Sequence, residues 1–417
     1  MQSSSSLSSP VLNTVRESHK AATKLAQTSA TRRRRGVSVL AKAMANSFDE
    51  ILEANTLDLE MSREMAIADP IADWLKLTPE RLEMTVSILK HLSKSADPTR
   101  RLINAPYQLE PSQTYCQLIP LGTIALVYEA FPELAAIAAG MCLKTGNSLI
   151  TRGCNLASNS NQVIANILQK ALVTTDLPTN SVVSISPDSG ISVQELVTQD
   201  RYLDLVIPYG RPSLVQQVAE KATATVLKTT IGNCYLYWSI SGNLDLIRQV
   251  IIDSHDSQPD GVNAIEKVLI NQNVKLSILQ SLFNSLQKQG FDLRGDKALV
   301  EAFPEYLKPV KSEEWRRPYL GKIVAFRFTD NLPQAVSWIN RYSSGHADCI
   351  VTESYQEGRY FVRGIDSALV YINTSPRFSR NPEGGEGVFL GMSNQRGYRQ
   401  GLISVETFTT VKQVVQG

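Results

Sequence analysis

From residue 118 to residue 372, short apolar runs alternate with stretches of helical periodicity, and no other feature of the sequence constrains the fold as strongly. Strand-like runs lie at 118–128, 148–151, 182–185, 204–207 and 225–227, with helical stretches such as 133–143 and 161–173 between them. In the clearest of these, Val163, Ile164, Ile167, Leu168 and Leu172 fall on one side. Strand, helix, strand, helix in this order predicts parallel β-structure with crossover helices, a doubly wound α/β layer. Such layers receive nucleotides at the carboxyl ends of their strands. A second alternating block comes next, with strands expected at 267–271, 322–328, 348–352 and 368–372 and helices at 276–289 and 333–342. Segment 405–415 reads as a terminal strand or helix.

Ahead of the sheet, residues 11–95 read as helical. Thr78 and Pro79 mark one helix start, as N-cap and first-turn proline, and Leu82, Val86, Leu89 and Leu92 then form a single apolar stripe. Arg32, Arg33, Arg34 and Arg35 read as a solvated helix start, with a nucleic-acid or targeting patch as the alternative. The Ser-rich residues 1–10 lack an apolar h-region after a basic n-region, so a short disordered tail is expected rather than a secretory signal; a transit peptide is the alternative.

The 417 residues suffice for two or three domains. Lys and Arg number 42 against 40 Asp and Glu, so the net charge of 42 − 40 = +2 excludes attachment to nucleic acid or membrane by bulk charge. Glu129, Glu133 and Lys144 interrupt the most apolar region before it is long enough to span a bilayer. Five cysteines, Cys116, Cys142, Cys154, Cys234 and Cys349, form no CxxC pair, which speaks against a zinc site or disulfide framework and for a reducing cytoplasm. There is no GxGxxG and no Walker loop, and Gly210 is the nearest thing to a glycine turn at a strand end. His255-Asp256 sets a histidine directly beside a carboxylate and reads as a polar loop, with a site as the alternative. Motifs alone stop at a soluble two-domain α/β protein.

Longer strings go further. The run from Asp49 to Glu60, including Asn55-Thr56-Leu57-Asp58, and Leu77-Thr78-Pro79-Glu80-Arg81-Leu82 resemble the N-terminal region of the γ-glutamyl phosphate reductases, or glutamate-5-semialdehyde dehydrogenases. Pro120-Leu121-Gly122, Tyr128-Glu129-Ala130, the run from Cys142 to Asn147, the run from Asp204 to Gly210, the run from Asn373 to Phe378 and the run from Glu406 to Lys412 keep the family's order across nearly the whole chain. The resemblance implies an aldehyde-dehydrogenase-like architecture. A disordered tail at 1–10 would precede N-terminal helices and a Rossmann-type cofactor domain at 11–245, with an oligomerisation strand near 105–118. A catalytic-type α/β domain would occupy 246–375, and a C-terminal return and oligomerisation segment 376–417. It also implies NADPH as cofactor, with Lys144, Arg152 and Gly210 as its ligands, and an anionic substrate met by Asn373 and Arg377. The chain is expected to be a homo-oligomer that takes a small anionic metabolite, without nucleic acid or membrane.

The family reduces L-glutamyl 5-phosphate for proline biosynthesis: a thiolate displaces phosphate from the acyl carbon, and the thioester accepts hydride from NADPH. Its nucleophile loop resembles Q-R-P-S-T-C-N, and the matching segment here is Ser257-Gln258-Pro259-Asp260-Gly261-Val262-Asn263. Val262 therefore stands where the resemblance places the cysteine, beside Asn263, and an isopropyl group has no lone pair. Arginines of the family pattern correspond to Gln258, Phe131, Tyr209 and Gln400, Arg211 replaces a second glycine, and Cys154-Asn155 replaces a Gly-Lys pair. Loss of cationic partners disfavours a doubly charged acyl phosphate. The expectation is a family member with acyl-phosphate reduction lost or severely reduced. The alternatives are an active dehydrogenase using another group such as Cys154, and a non-catalytic regulatory or interaction paralogue.

Overall fold

The computed structural model describes residues 10–417 apart from 109, 111, 257–260, 383, 386 and 396–399. The tail expected at 1–10 thus lies outside the described residues up to position 9, and Pro10 already opens a helix. Two compact units result: one contains the chain up to Thr229 with Arg380–Gly391 and Leu402–Gly417, the other Thr230–Ser379 with Met392–Gly401.

In the first unit, helices α1 (Pro10–Ala26), α2 (Ala30–Ala45), α3 (Phe48–Glu64), α4 (Asp69–Leu75) and α5 (Pro79–Lys94) precede the strands. Helix α5 starts as the sequence predicts, with the Thr78 side chain accepting the Arg81 N–H and Pro79 in the first turn. A three-stranded antiparallel sheet joins β1 (Leu102–Asn104), β2 (Gln113–Pro120) and the C-terminal strand Thr409–Gln416. The main sheet has the order β5-β4-β3-β6-β7, formed by β3 (Thr123–Tyr128), β4 (Ser148–Arg152), β5 (Val182–Ser184), β6 (Leu205–Gly210) and β7 (Thr229–Thr230). Its ladders from β5 to β6 are parallel. Helices α6 (Leu134–Thr145), α7 (Ser158–Val173), α8 (Val193–Val197) and α9 (Pro212–Lys221) connect the strands. Every residue of β3, β4 and β6 is buried, which is why β3 and β6 read as near-continuous apolar runs, while β4 buries Ser148, Thr151 and Arg152 around Leu149 and Ile150. Helix α6 lies close against α5: a Cβ on Gly140 would come within 2.4 Å of the Leu89 side chain.

The second unit repeats the logic with the order β11-β10-β12-β9-β8-β13-β14, all parallel. Its strands are β8 (Cys234–Trp238), β9 (Ile265–Asn271), β10 (Asp292–Gly295), β11 (Lys308–Pro309), β12 (Ile323–Thr329), β13 (Ala347–Val351) and β14 (Leu369–Ile372). Its helices are α10 (Leu244–His255), α11 (Leu276–Lys288), α12 (Lys297–Ala302), α13 (Leu332–Tyr342) and α14 (Tyr355–Gly364). Two apolar clusters cover the sheet, one around Phe283 and Phe326 and the other around Tyr235, Trp315 and Phe361.

Three readings change. The run 118–128 is two strands, because Gly122, at φ 134°, turns the chain from the antiparallel sheet into the parallel one. The strand expected at 225–227 reduces to a single bridge between Val206 and Val226. The division expected at 245/246 falls at Thr229, because β8 pairs with β9 and β13 in the second sheet. The terminal segment resolves into a short helical turn, Val405–Phe408, and then the strand. Among the described residues no helix is long and apolar enough to cross a membrane, and no cluster of His, Cys, Asp or Glu could hold a metal.

The string Asn55…Asp58 proves to be a clamp. Asn55 donates to the Leu75 carbonyl and the Ser160 hydroxyl and accepts the Leu77 N–H. Buried Asp58 accepts the Asn159 and Ser160 N–H groups at 3.0 and 2.8 Å, and so caps α7 from α3. Asp58→Ala should lower unfolding stability by about 2 kcal/mol. Urea titration checks this; an unchanged midpoint would show that the cap contributes nothing.

Candidate functional site

At the carboxyl edge of the first sheet, β3 runs into Glu129, Ala130 and Phe131, the last two at φ 59° and 50°. Glu129 accepts both the backbone N–H and the guanidinium of Arg211, which joins the ends of β3 and β6. Gly210 permits this: at φ 151° its missing Cβ would sit 2.8 Å from the Glu129 Cβ. Phe131 is fully buried, stacked on Trp74 at 5.2 Å and edge-on to Tyr209 at 5.7 Å. The Tyr209 hydroxyl accepts from Arg380, which is 5% exposed, lies against both rings and also donates to the Leu390 carbonyl. Two positions that the resemblance gives to arginine are therefore aromatic core, closed around a different arginine. Arg380 escapes sequence reasoning, since its partners are remote in sequence and no local pattern marks it.

Of the three residues expected to hold NADPH, Arg152 and Gly210 lie at the carboxyl edge, at the ends of β4 and β6, and Lys144 does not. Gly210 is occupied by the approach of Glu129. Arg152, at the end of β4, donates to the carbonyls of Gly153, Pro187 and Ile191 and is almost fully buried. Lys144 is the correction: it ends α6 and precedes β4, so it lies at the amino edge of the sheet, donating to the Ser95 carbonyl. As a set they do not fit one nucleotide. Cys154, just past β4, accepts the Ala130 N–H at 3.5 Å, and burial raises its thiol pKa.

In the second unit, residues 257–260 of the expected nucleophile loop, including Gln258 and Asp260, lie outside the described residues. Val262 is 2% exposed, and its carbonyl accepts the Gly232 N–H. Asn263 is buried, and neither its amide oxygen nor its nitrogen has a partner among the described residues. Cys234 and Cys349 are fully buried, and burial drives both thiols well above their usual range. Arg377, the expected anion ligand, pairs with Asp253 at 3.2 Å. Asn373, at φ 54°, bonds both the N–H and the carbonyl of Thr352 and lines a cavity of about 520 Å³ with Arg359 and Arg363, whereas Arg377 does not line it. Gln400 is exposed.

Comparison with known proteins matches this arrangement across its length. The aldehyde dehydrogenase family matches residues 4–233. A γ-glutamyl phosphate reductase 2 from Synechocystis is 56% identical over 92% of both chains, and a γ-glutamyl phosphate reductase from Gloeobacter violaceus is 34% identical over 99% of this chain and 98% of the relative. The chain belongs to the γ-glutamyl phosphate reductases of the aldehyde dehydrogenase family. A crystal structure of γ-glutamyl phosphate reductase from Thermotoga maritima superimposes with a TM-score of 0.88 at 30% identity, covering 98% of this chain and 99% of that one. The fold likeness extends to an acetylating aldehyde dehydrogenase from Geobacillus thermoglucosidasius, at TM-score 0.70 and 15% identity, with 98% and 96% coverage.

His255 corrects the reading of a polar loop. It ends α10, its Nε2 lies 3.0 Å from the Ile265 carbonyl, and its ring meets Phe291 edge-on at 5.0 Å. Burial disfavours the imidazolium and pulls its pKa from 6.5 to about 4. The unfolded chain takes up this proton near 6.5, so the resulting stability is complete above that pH and is lost as pH falls toward 4. NMR titration should find His255 neutral through pH 5, and His255→Gln should flatten the acid limb of the stability profile. A His255 titrating near 6.5 would contradict the assignment.

Proposed function

We propose that this chain is a γ-glutamyl phosphate reductase family member whose ancestral reaction, reduction of L-glutamyl 5-phosphate to the 5-semialdehyde, is lost or severely reduced. Val262 carries the reading. The reaction needs a group that attacks the acyl carbon, expels phosphate to form a thioester, and leaves as thiolate once hydride has been added, and a valine side chain can do none of these. The neighbouring changes point the same way. Phe131 and Tyr209 are buried in a ring cluster, and Arg211, Arg152 and Arg377 are already engaged with Glu129, backbone carbonyls and Asp253. The family's cofactor is NADPH, but Lys144, Arg152 and Gly210 do not form a common cradle for it.

Cys154 as a substitute nucleophile is the weaker reading. Burial is the largest cause raising its pKa, and Glu129 adds to it, so the thiol stays protonated and poorly nucleophilic at neutral pH. An oligomeric protein suits the outer strand Thr409–Gln416, which among the described residues pairs on one side only and carries half-exposed Val411 and Val415. A homo-oligomer acting as a binding or regulatory partner in a reducing cytoplasm is the role we favour.

Purified protein supplied with NADPH and enzymatically generated glutamyl phosphate should oxidise no more NADPH than the control without substrate; turnover of roughly 1 per second or more would overturn the proposal. Val262→Cys alone should remain at background, since the neutral positions 131, 209 and 400 are unchanged. Ordinary turnover in that variant would show that only the nucleophile is missing.

A further inference from the structure

At the amino edge of the first sheet, around Lys144 and Arg34, lies a pocket of about 240 Å³. Its wall is built from the start of α2, the turn after α5 and the end of α6. Four cations line it: Arg34, Lys94, Arg100 and Lys144. The one carboxylate in the lining, Asp97, is already neutralised, since Arg33 donates to it at 2.6 Å in a buried ion pair and Thr99 donates to it through both N–H and hydroxyl. Among the described residues none of the four lining cations has a carboxylate within ion-pair distance.

Lys144 makes the imbalance costly. The residue is 3% exposed, and among the described residues its ammonium has a single hydrogen-bond partner, the Ser95 carbonyl. A cation withdrawn from water beside Arg33 and Arg34, without a full set of acceptors, is destabilised. Its pKa is accordingly lowered, chiefly by burial, with Asp97 opposing and Arg34 and Arg33 adding. The wall also contains Ala30 and Thr31, the first residues of the 16-residue helix α2, whose N–H groups have no partner inside the helix. Ser29 caps only the Arg32 N–H.

We propose that this pocket is an anion site for a phosphate dianion, free or as the terminal group of a small phosphate ester. A tetrahedral dianion would accept from the guanidinium of Arg34 and Arg100, from the ammonium groups and from the helix start. The volume is below the about 300–1,000 Å³ of drug-sized sites and suits a phosphoryl group with a short tail. The four arginines at 32–35 thereby acquire different roles: Arg33 is a buried structural ion pair, Arg34 faces the pocket, and Arg32 and Arg35 are solvated. A concave site of this size does not suit a nucleic-acid backbone, which needs a track of cations. The site is independent of whether the reductase reaction survives.

Calorimetry on the full chain, with inorganic phosphate and separately with glycerol 3-phosphate at constant chloride-balanced ionic strength, tests it. One anion per chain is expected. Arg34→Gln/Arg100→Gln, both exposed side chains whose removal leaves the buried Arg33–Asp97 pair intact, should weaken binding by about tenfold or more. Arg377→Gln should leave it unchanged, which separates this pocket from the expected substrate position. Tighter binding of the ester assigns the site to a metabolite, and equal affinity assigns it to free phosphate. Absence of heat with both probes, or equal affinity in wild type and the Arg34/Arg100 variant, would overturn the proposal.

Discussion

Parallel strands packed between helices on both faces have no solvent side, so the polar chemistry of the first sheet gathers at its strand ends, whereas the second sheet also holds the buried Lys267–Glu266 pair within β9 and Asp348 within β13. All six residues of β3 and of β6 and all seven of β9 are buried. The residues just past the end of each strand therefore decide the chemistry of the sheet edge. After β3 and β6 come Glu129 and Arg211, and their ion pair, made possible by Gly210, fixes the two ends against each other. Just beyond, the ring cluster of Trp74, Phe131 and Tyr209 closes around Arg380. Desolvated rings and paired charges make this edge rigid and leave little free positive potential.

The distribution of cations is consistent with this. Where the family resemblance expects arginine to meet an acyl phosphate, the chain has phenylalanine, tyrosine or glutamine, or an arginine already engaged. Within the first unit, four cations without an ion-pair partner among the described residues lie together at the opposite edge, around Lys144. Val262 fits this pattern, because a nucleophile without an anion cradle would have little to act on. Beside it in sequence is buried Asn263, with neither amide atom partnered among the described residues.

Much of the fold is legible in the sequence, for a physical reason: period-two and period-3.6 patterns report burial on a local scale. The stripe through Leu82, Val86, Leu89 and Leu92, the Thr78 cap and the succession of strands and helices in both units come from that. The break within 118–128 escapes such a reading because both halves are apolar and only the backbone at Gly122 separates them. The site is less legible. Lys144 sits in a string shared with the family, yet its place at a helix end puts it on the wrong edge of the sheet. Contacts such as Tyr209 with Arg380 or Asp58 with Ser160 join residues far apart in sequence, and no spacing rule announces them.

With valine at position 262, no acyl-enzyme should form on this chain, and intact-mass measurement addresses this without relying on turnover. Protein incubated with enzymatically generated glutamyl phosphate and quenched in acid should keep its unmodified mass. A glutamyl adduct on any cysteine, Cys154 above all, would contradict the assignment.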